Sequence, residues 1–295
     1  MEIKIGTRGS LLAMRQVYEV ELLLKKNPEL IIQIIKIKTS GDNAVDVPLY
    51  EIGGKALFLQ EIEESLLRNE IDIAVHSVKD VPAFFSDNLV IPCILKRNSP
   101  YDVLISSKYS SIESLPFNAT IGTSSIRRKV QLLALRPDLR IVPLRGNIDT
   151  RIEKSKNLDA IILAEAGLNR IGKQEVISEV IDSGIMLSAV GQGAICIQCR
   201  ANDDKILSIV QRLNDYKSYM SIMAERAFMK AVDGSCNTPL AAFAKYIDDD
   251  ILRMRCMLSD SNSILFLERE FLESEAKKVG FEMGVELKNK LLNFK

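Results

Sequence analysis

The sequence predicts an α/β protein, and three observations carry that prediction. Strand-like and helix-like stretches alternate through the first two hundred residues. A short motif at the end of the first strand recurs further along, again just before a helix. Near Tyr216 the texture changes to a helix, a turn and two strand-like runs. Alternation of this kind implies sheets layered with helices.

Taken in order, "EIKIGT" reads as a strand, "SLLAMRQVYEVELLLKKN" as an amphipathic helix and "IIQIIKIK" as a buried strand. "ALFLQEIEESLLRN" reads as a second helix and "IDIAVH" as a further strand. The recurring motif is Ile5-Gly6-Thr7, followed by Arg8, Ser10 and a helix, and Ile121-Gly122-Thr123, followed by Ser124, Ser125, Arg127 and a helix. Downstream, "EIDIAVHSVKD" is loosely matched by "NLDAIILAEAG". Two α/β domains of similar build are expected, with a boundary near "KRNSPYD" (Lys96–Asp102), where polar residues and Pro100 interrupt the pattern. Beyond Tyr216, the helix "SIMAERAFMKAV", the turn "DGSCNTPLAAFA", the runs "LAAFAKYI" and "ILRMRCML" and a polar C-terminal helix predict a smaller α+β domain. "IDDD" at Ile247–Asp250 reads as a hairpin turn.

At 295 residues the chain exceeds the usual size of one domain. Apolar residues make up 47% and charged residues 26%, the balance of an ordinary globular protein. Thirty-nine basic residues offset thirty-nine acidic ones, so bulk charge gives no reason to expect nucleic acid or an anionic membrane as partner. Any anion site must be local. No apolar run approaches the ~20 residues that span a bilayer, and the start "MEIKIGTRGS" lacks a leader pattern, so a cytoplasmic protein is expected. Five cysteines, an odd and sparse set, agree with a reducing compartment.

Strand-to-helix turns rich in Gly, Ser and Thr expose backbone N–H groups at the positive end of a helix dipole, where carboxylate or phosphate binds. Ser10 and Ser125 alone are explained as helix caps. Arg8 beside the first turn, and Arg127 and Arg128 in the first turn of the second helix, oppose the dipole, so a bound anion is expected there. Arg145, Arg151 and Arg170 recur near the ends of expected strands, where open α/β sheets bind ligands. Arginine's planar fork suits carboxylates, so a small polyanionic guest is implied. "AVHSVKDVP" holds the single histidine, His76, with Lys79 and Asp80. On this stretch alone, a surface ion pair and a catalytic carboxylate stand level. Cys196 and Cys199 in "CIQC" sit in a strand-like run with no second pair to complete a zinc site, so they read as structural thiols.

The runs "IGTRGSLLAMRQ", "GGKALFLQEIEESLL", "DIAVHSVKDVP", "IGTSSIRRKVQL", "LRGNIDTRIEK", "DAIILAEAGLNRIG", "AVGQGA" and "DGSCNTPLAAFA" together resemble porphobilinogen deaminase, also called hydroxymethylbilane synthase. The resemblance implies two α/β domains similar to type II periplasmic binding proteins and a smaller third α+β domain. It places the first domain at 1–95 with a return segment at 196–213, the second at 100–190 and the third at 218–295. It puts the chemistry in the cleft between the first two, and it suggests a monomer without metal.

In that family the cysteine of the third-domain turn carries a dipyrromethane cofactor through a thioether, a role that falls on Cys236. The chemical logic is that a soft thiolate captures an electrophilic carbon. The implied reaction joins four porphobilinogen molecules with loss of ammonia, each through an azafulvenium cation, and hydrolysis releases hydroxymethylbilane. Asp80 matches the catalytic aspartate, whose carboxylate accepts pyrrole N–H bonds and stabilises the cation. Lys79, Asp80, Ser125, Arg127 and Arg128 are implied to hold the cofactor. Arg8, Ser10, Gln16, Lys55, Ser77, Thr123, Ser124, Arg145, Arg151 and Arg170 are implied to hold the carboxylate-bearing substrate chain.

Four positions depart from the family's pattern. Tyr101 stands where Arg is frequent, Cys196 replaces a small residue, Gln198 replaces a frequent Glu, and Ser235 replaces the Gly before the cysteine. The rival reading is a non-catalytic two-domain protein that binds or senses a small polycarboxylate. It explains the paired anion turns but leaves Cys236 and the third domain without a role.

Overall fold

In "EIKIGT" the alternate residues Ile3 and Ile5 are fully buried, and the strand they form, β1 (Glu2–Thr7), is flanked on both sides by parallel neighbours. The computed structural model describes residues 1–39, 59–234, 238–260 and 263–293. They form two units, one of Met1–Asn98 with Ala194–Met220 and one of Ser99–Gly193 with Ser221–Lys295.

The first unit is built on a five-stranded sheet. α1 (Leu11–Leu24) follows β1 and leads to β2 (Ile31–Lys36); α2 (Gln60–Leu67) leads to β3 (Ile73–Ser77), and β4 (Leu89–Ile94) follows. The return segment adds β10 (Ile195–Arg200), giving the order β2-β1-β3-β10-β4. The first three strands are parallel, and β10 runs antiparallel to both β3 and β4. Val17, Val20 and Leu24, one face of α1, bury against Ile3, Ile5, Ile73 and Val75, which accounts for the helical spacing seen in the sequence. Cys93, Cys196 and Cys199 are fully buried, as their apolar strands predict.

The second unit repeats this plan. Its strands are β5 (Asp102–Ile105), β6 (Thr120–Gly122), β7 (Arg140–Val142), β8 (Ala160–Ala164) and β9 (Glu179–Ile181), in the order β7-β6-β8-β5-β9. Again three strands are parallel, and the fourth, β5, is antiparallel to both its neighbours. Its helices are α3 (Ile126–Leu135), α4 (Ile148–Ser155) and α5 (Glu165–Ile171).

The echo in the sequence is therefore a repeated fold, and it has a physical cause. A Cβ on Gly6 would meet Ile71 Cδ1 at 2.2 Å, and one on Gly122 would meet Leu158 Cδ1 at 2.7 Å. Ile71 and Leu158 each stand two residues before the strand residue that pairs with the Ile of the motif. Between them, Asp72 accepts from the Lys4 N–H and Asp159 from the Thr120 N–H, each at 2.8 Å, clamping the central strand in the same place.

A second, three-stranded antiparallel sheet lies in the second unit: β11 (Leu240–Tyr246), β12 (Ile251–Ser259) and β13 (Ile264–Leu272). The acidic run forms the β11–β12 turn, as its composition predicts. α6 (Asp204–Val210) and α7 (Tyr216–Ala231) precede this sheet in the chain, and α8 (Ala276–Asn293) packs on β12 and β13. Glu225 of α7, fully buried, accepts from the Gly191 N–H at 2.7 Å and from the Ala244 N–H at 2.9 Å. One carboxylate thus joins α7 to the "AVGQGA" segment and to β11. The fold class is α/β with a smaller α+β part, as the sequence predicts.

Candidate active site

The C-terminal ends of β1 and β3 and the N-terminus of α1 enclose a cavity lined by Thr7, Arg8, Ser10, Gln16, His76, Ser77 and Asp80, among others. It forms because two parallel strands end side by side and the chain after β1 turns at once into a helix. Ser10 caps that helix, accepting from the Ala13 N–H at 3.3 Å, and no acidic residue occupies its first turn. The positive helix end is left for an outside anion. Gln16, buried one turn further on, donates to Ser77 Oγ at 2.7 Å and so fixes the end of β3 against α1.

Asp80 ends a single 3-10 turn, Val78–Asp80, directly after β3. Val78 is buried and anchors the turn; Lys79 is half-buried and Asp80 is exposed. The Asp80 side chain makes no hydrogen bond or ion pair among the described residues, so its oxygens remain available to a ligand. Thr7 Oγ1 is buried at the cavity wall and has no hydrogen-bond partner among the described residues. Thr7 belongs to the recurring Ile-Gly-Thr motif, but no site role for it is legible in the sequence.

Arg8, Ser10, Gln16, Ser77 and Asp80 thus come together at one cavity. Lys55, Ser235 and Cys236 lie outside the described residues. The flanks of the cysteine turn are defined: Gly234 N–H closes on Met229 O at 2.9 Å, and Asp233 adopts a left-handed φ of 51°. Lys288 of α8 pairs with Asp233 at 2.7 Å.

In the second unit the motif turn is tied internally. Ser124 Oγ donates to Leu144 O at 2.9 Å and accepts from Leu144 N–H at 3.0 Å, which brings Thr123, Ser124 and Ser125 beside the Arg145 segment. Ser125 caps α3 through the Arg128 N–H. Arg151 Nε donates to Gly146 O at 2.8 Å, and Arg170 Nη2 to Gly193 O at 3.0 Å.

Arg127 and Arg128 do face an anion, but the chain itself supplies it. Arg127 Nη1 donates to Asp102 Oδ2 at 2.7 Å, and Arg128 donates to Asp102 Oδ1 through Nε at 3.1 Å and Nη2 at 2.8 Å. Asp102 is fully buried and both arginines are 6% exposed. Burial pushes the Asp102 carboxyl up, but the two guanidinium charges outweigh it and hold the group well below the usual carboxylate range. Burial likewise lowers Arg127, against the pull of Asp102. Gln192 Nε2 adds a bond to Asp102 at 3.0 Å. Nothing in the sequence marks Asp102, a lone acid opening the apolar run "DVLI", as the anion that these two arginines meet. Two guanidiniums against one carboxylate still leave the cluster with net positive charge.

The model for "Porphobilinogen deaminase, dipyromethane cofactor binding domain" matches residues 3–208, and that for "Porphobilinogen deaminase, C-terminal domain" matches residues 219–293. The chain belongs to the porphobilinogen deaminase family. Among its relatives, the porphobilinogen deaminase of Ehrlichia canis (strain Jake) is 60% identical over 294 residues, 99% of each chain. That of Ehrlichia chaffeensis (strain ATCC CRL-10679 / Arkansas) is 56% identical over 297 residues, covering both chains in full. That of Wolbachia sp. subsp. Drosophila simulans (strain wRi) is 57% identical over 293 residues, 99% of this chain and 100% of the other.

Porphobilinogen deaminases use a dipyrromethane cofactor, and the groups that line the first-unit cavity suit the chemistry of such a group. Pyrrole rings offer N–H donors, which call for an acceptor, and acidic side arms, which call for donors and positive potential. Asp80 would offer the first; the α1 N-terminus, which has no acidic residue in its first turn, with Arg8 and the Thr7 hydroxyl, would offer the second.

Proposed function

We propose that Asp80 carries the chemistry of a porphobilinogen deaminase in this chain, and that the arginines around the two motif turns hold the carboxylates of its growing product. The enzyme is a transferase that joins four porphobilinogen molecules into hydroxymethylbilane with release of ammonia, a step of tetrapyrrole biosynthesis. Family membership sets aside the non-catalytic solute-binding reading.

The bound dipyrromethane, attached through Cys236 in this reading, supplies the nucleophilic carbon to which porphobilinogen is joined. The chain's residues supply binding and charge. Asp80 accepts ring N–H bonds and sets its carboxylate beside the cation that forms as ammonia departs. Lys79, Ser125, Arg127 and Arg128 hold the cofactor's acidic arms; the net positive charge of the Arg127–Arg128–Asp102 cluster supports this role, and a carboxylate entering it finds charge to match. Arg8, Ser10, Gln16, Lys55, Ser77, Thr123, Ser124, Arg145, Arg151 and Arg170 position the substrate chain.

The single observation that carries the reading is Asp80: a carboxylate without a partner among the described residues, on a turn fixed by buried Val78, at a cavity whose other walls offer donors and positive potential. We assign the chain three domains, 1–95 with 196–213, 100–190 and 218–295, and a monomeric, cytoplasmic life without nucleic-acid partners, on the charge balance and the family. Among the described residues no helix is long and apolar enough to cross a membrane.

The test is Asp80→Asn, which keeps shape and removes charge. The variant folds and binds porphobilinogen, yet loses turnover by ~10²–10⁴-fold, the usual contribution of a positioned acid–base group. Single-turnover ammonia release from protein first supplied with preformed cofactor separates chemistry from failed assembly. Near-normal release would move the role elsewhere.

A further inference from the structure

His76 lines the same cavity as Asp80, yet nothing above gives it a task. Its ring is 6% exposed, and Nε2 lies 3.1 Å from Oε1 of Gln198, itself fully buried. Gln198 Nε2 in turn donates to Glu63 Oε1 on α2 at 2.8 Å. A carboxylate accepts, so the amide nitrogen of Gln198 must face Glu63 and the amide oxygen must face His76. An amide oxygen only accepts, so the proton of the neutral imidazole sits on Nε2. Nδ1 is left with its lone pair and makes no hydrogen bond among the described residues.

The repeated fold supplies an internal comparison. His76 sits opposite Cys196 in the β3–β10 ladder, and Gln198 follows two residues on. The matching positions of the second sheet, in the β8–β5 ladder, are Leu163 opposite Val103, with Ile105 two residues on. Leu163 and Ile105 are both buried in one apolar cluster. The same architecture is thus satisfied there by two apolar side chains. A buried imidazole and amide in the other copy are not required by the fold and answer to the cavity.

We infer that the Glu63–Gln198–His76 chain is a tautomer lock: it holds the imidazole as its uncharged Nε2–H form and leaves Nδ1 to accept a pyrrole N–H of the substrate chain bound beside Asp80. The inference rests on the function proposed above and adds a residue to it. Charge gives the lock its purpose. A cation forms next to Asp80 as ammonia leaves; an imidazolium at the cavity wall would repel it and would have no lone pair to offer. The charged and titratable groups around the ring are Asp80 and Arg8 on the cavity lining, Glu63 beyond Gln198, and Cys196 across the ladder, with Lys79 next to Asp80 on the turn that follows β3. Burial pushes His76 down to about 4, against the smaller upward pull of its bond to Gln198. Burial also raises Glu63, which its bond from Gln198 partly offsets.

His76 is the sole histidine of the chain, so its ring gives one unambiguous set of signals. The experiment is long-range proton–nitrogen NMR on full-length holoenzyme labelled with ¹⁵N-histidine, before and after one equivalent of porphobilinogen. The expected result is an Nε2–H tautomer that does not titrate at neutral pH, with an Nδ1 resonance that moves when porphobilinogen is added. Gln198→Leu removes the acceptor and is expected to release the tautomer preference. His76→Leu, which installs the side chain used in the second sheet, is expected to retain the covalent cofactor by intact mass and lose turnover by about two- to tenfold, the worth of one hydrogen bond between uncharged groups. An imidazolium at neutral pH, an Nδ1–H tautomer, or an Nδ1 signal indifferent to porphobilinogen in protein whose mass shows the cofactor would overturn the inference alone. Wild-type protein without the cofactor mass would overturn the proposed function, and this inference with it.

Discussion

Arg127 donates to Asp102 at 2.7 Å with both side chains shut away from water, and Arg128 holds the other oxygen of the same carboxylate. The arrangement ties the first turn of α3 to the first residue of β5, the strand that enters the second sheet antiparallel. Removing the acid leaves two buried guanidiniums facing each other. Asp102→Asn is therefore expected to cost about 3–5 kcal/mol, the usual penalty for stranding a buried charge, read as a fall in the urea midpoint at unchanged slope. A loss below about 1 kcal/mol would show that the cluster is solvated.

The close approach at Gly6 is open to a double-mutant test. Gly6→Ala places a methyl against Ile71 Cδ1, and overpacking of this kind costs ~1–3 kcal/mol. Ile71→Val deletes that δ carbon and alone costs about 0.5–1.5 kcal/mol. The pair together is expected to be more stable than the sum of the two losses predicts. Strict additivity in chemical denaturation would contradict the contact.

His76 makes stability depend on pH with a definite sign. The unfolded chain protonates its imidazole below about 6.5, while the folded chain resists until about 4. Between those values the unfolded state binds more protons, so stability falls as pH falls through the window. Urea midpoints measured from pH 7 to pH 5 are expected to drop more in the wild type than in His76→Leu, which has no imidazole to protonate. Equal pH dependence would show that the ring is accessible to protons in the folded state.

Much of this was legible in the sequence, because strand periodicity and the repeated Ile-Gly-Thr report packing that is local to one sheet. The repeat is short in the sequence because the other residues that make it structural, Ile71 with Asp72 and Leu158 with Asp159, lie far along the chain from the motif strands they meet. The helix caps were legible for the same local reason: Ser10 and Ser125 accept from backbone N–H groups three residues away. Asp102 was not, since its meaning depends on arginines two strands and a turn later, and nothing in "YDVLI" announces a buried charge. His76 has no legible role in the sequence because its neighbours Gln198 and Glu63 are brought to it only by the return strand β10 and by α2.

Intact mass spectrometry of purified protein shows whether this chain carries its own pyrrole primer on Cys236, as proposed. The wild type is expected to exceed its sequence mass by one covalent dipyrromethane, and Cys236→Ser, folded by circular dichroism, to match its sequence mass. A wild type at sequence mass, or an adduct that survives in Cys236→Ser, would contradict the account.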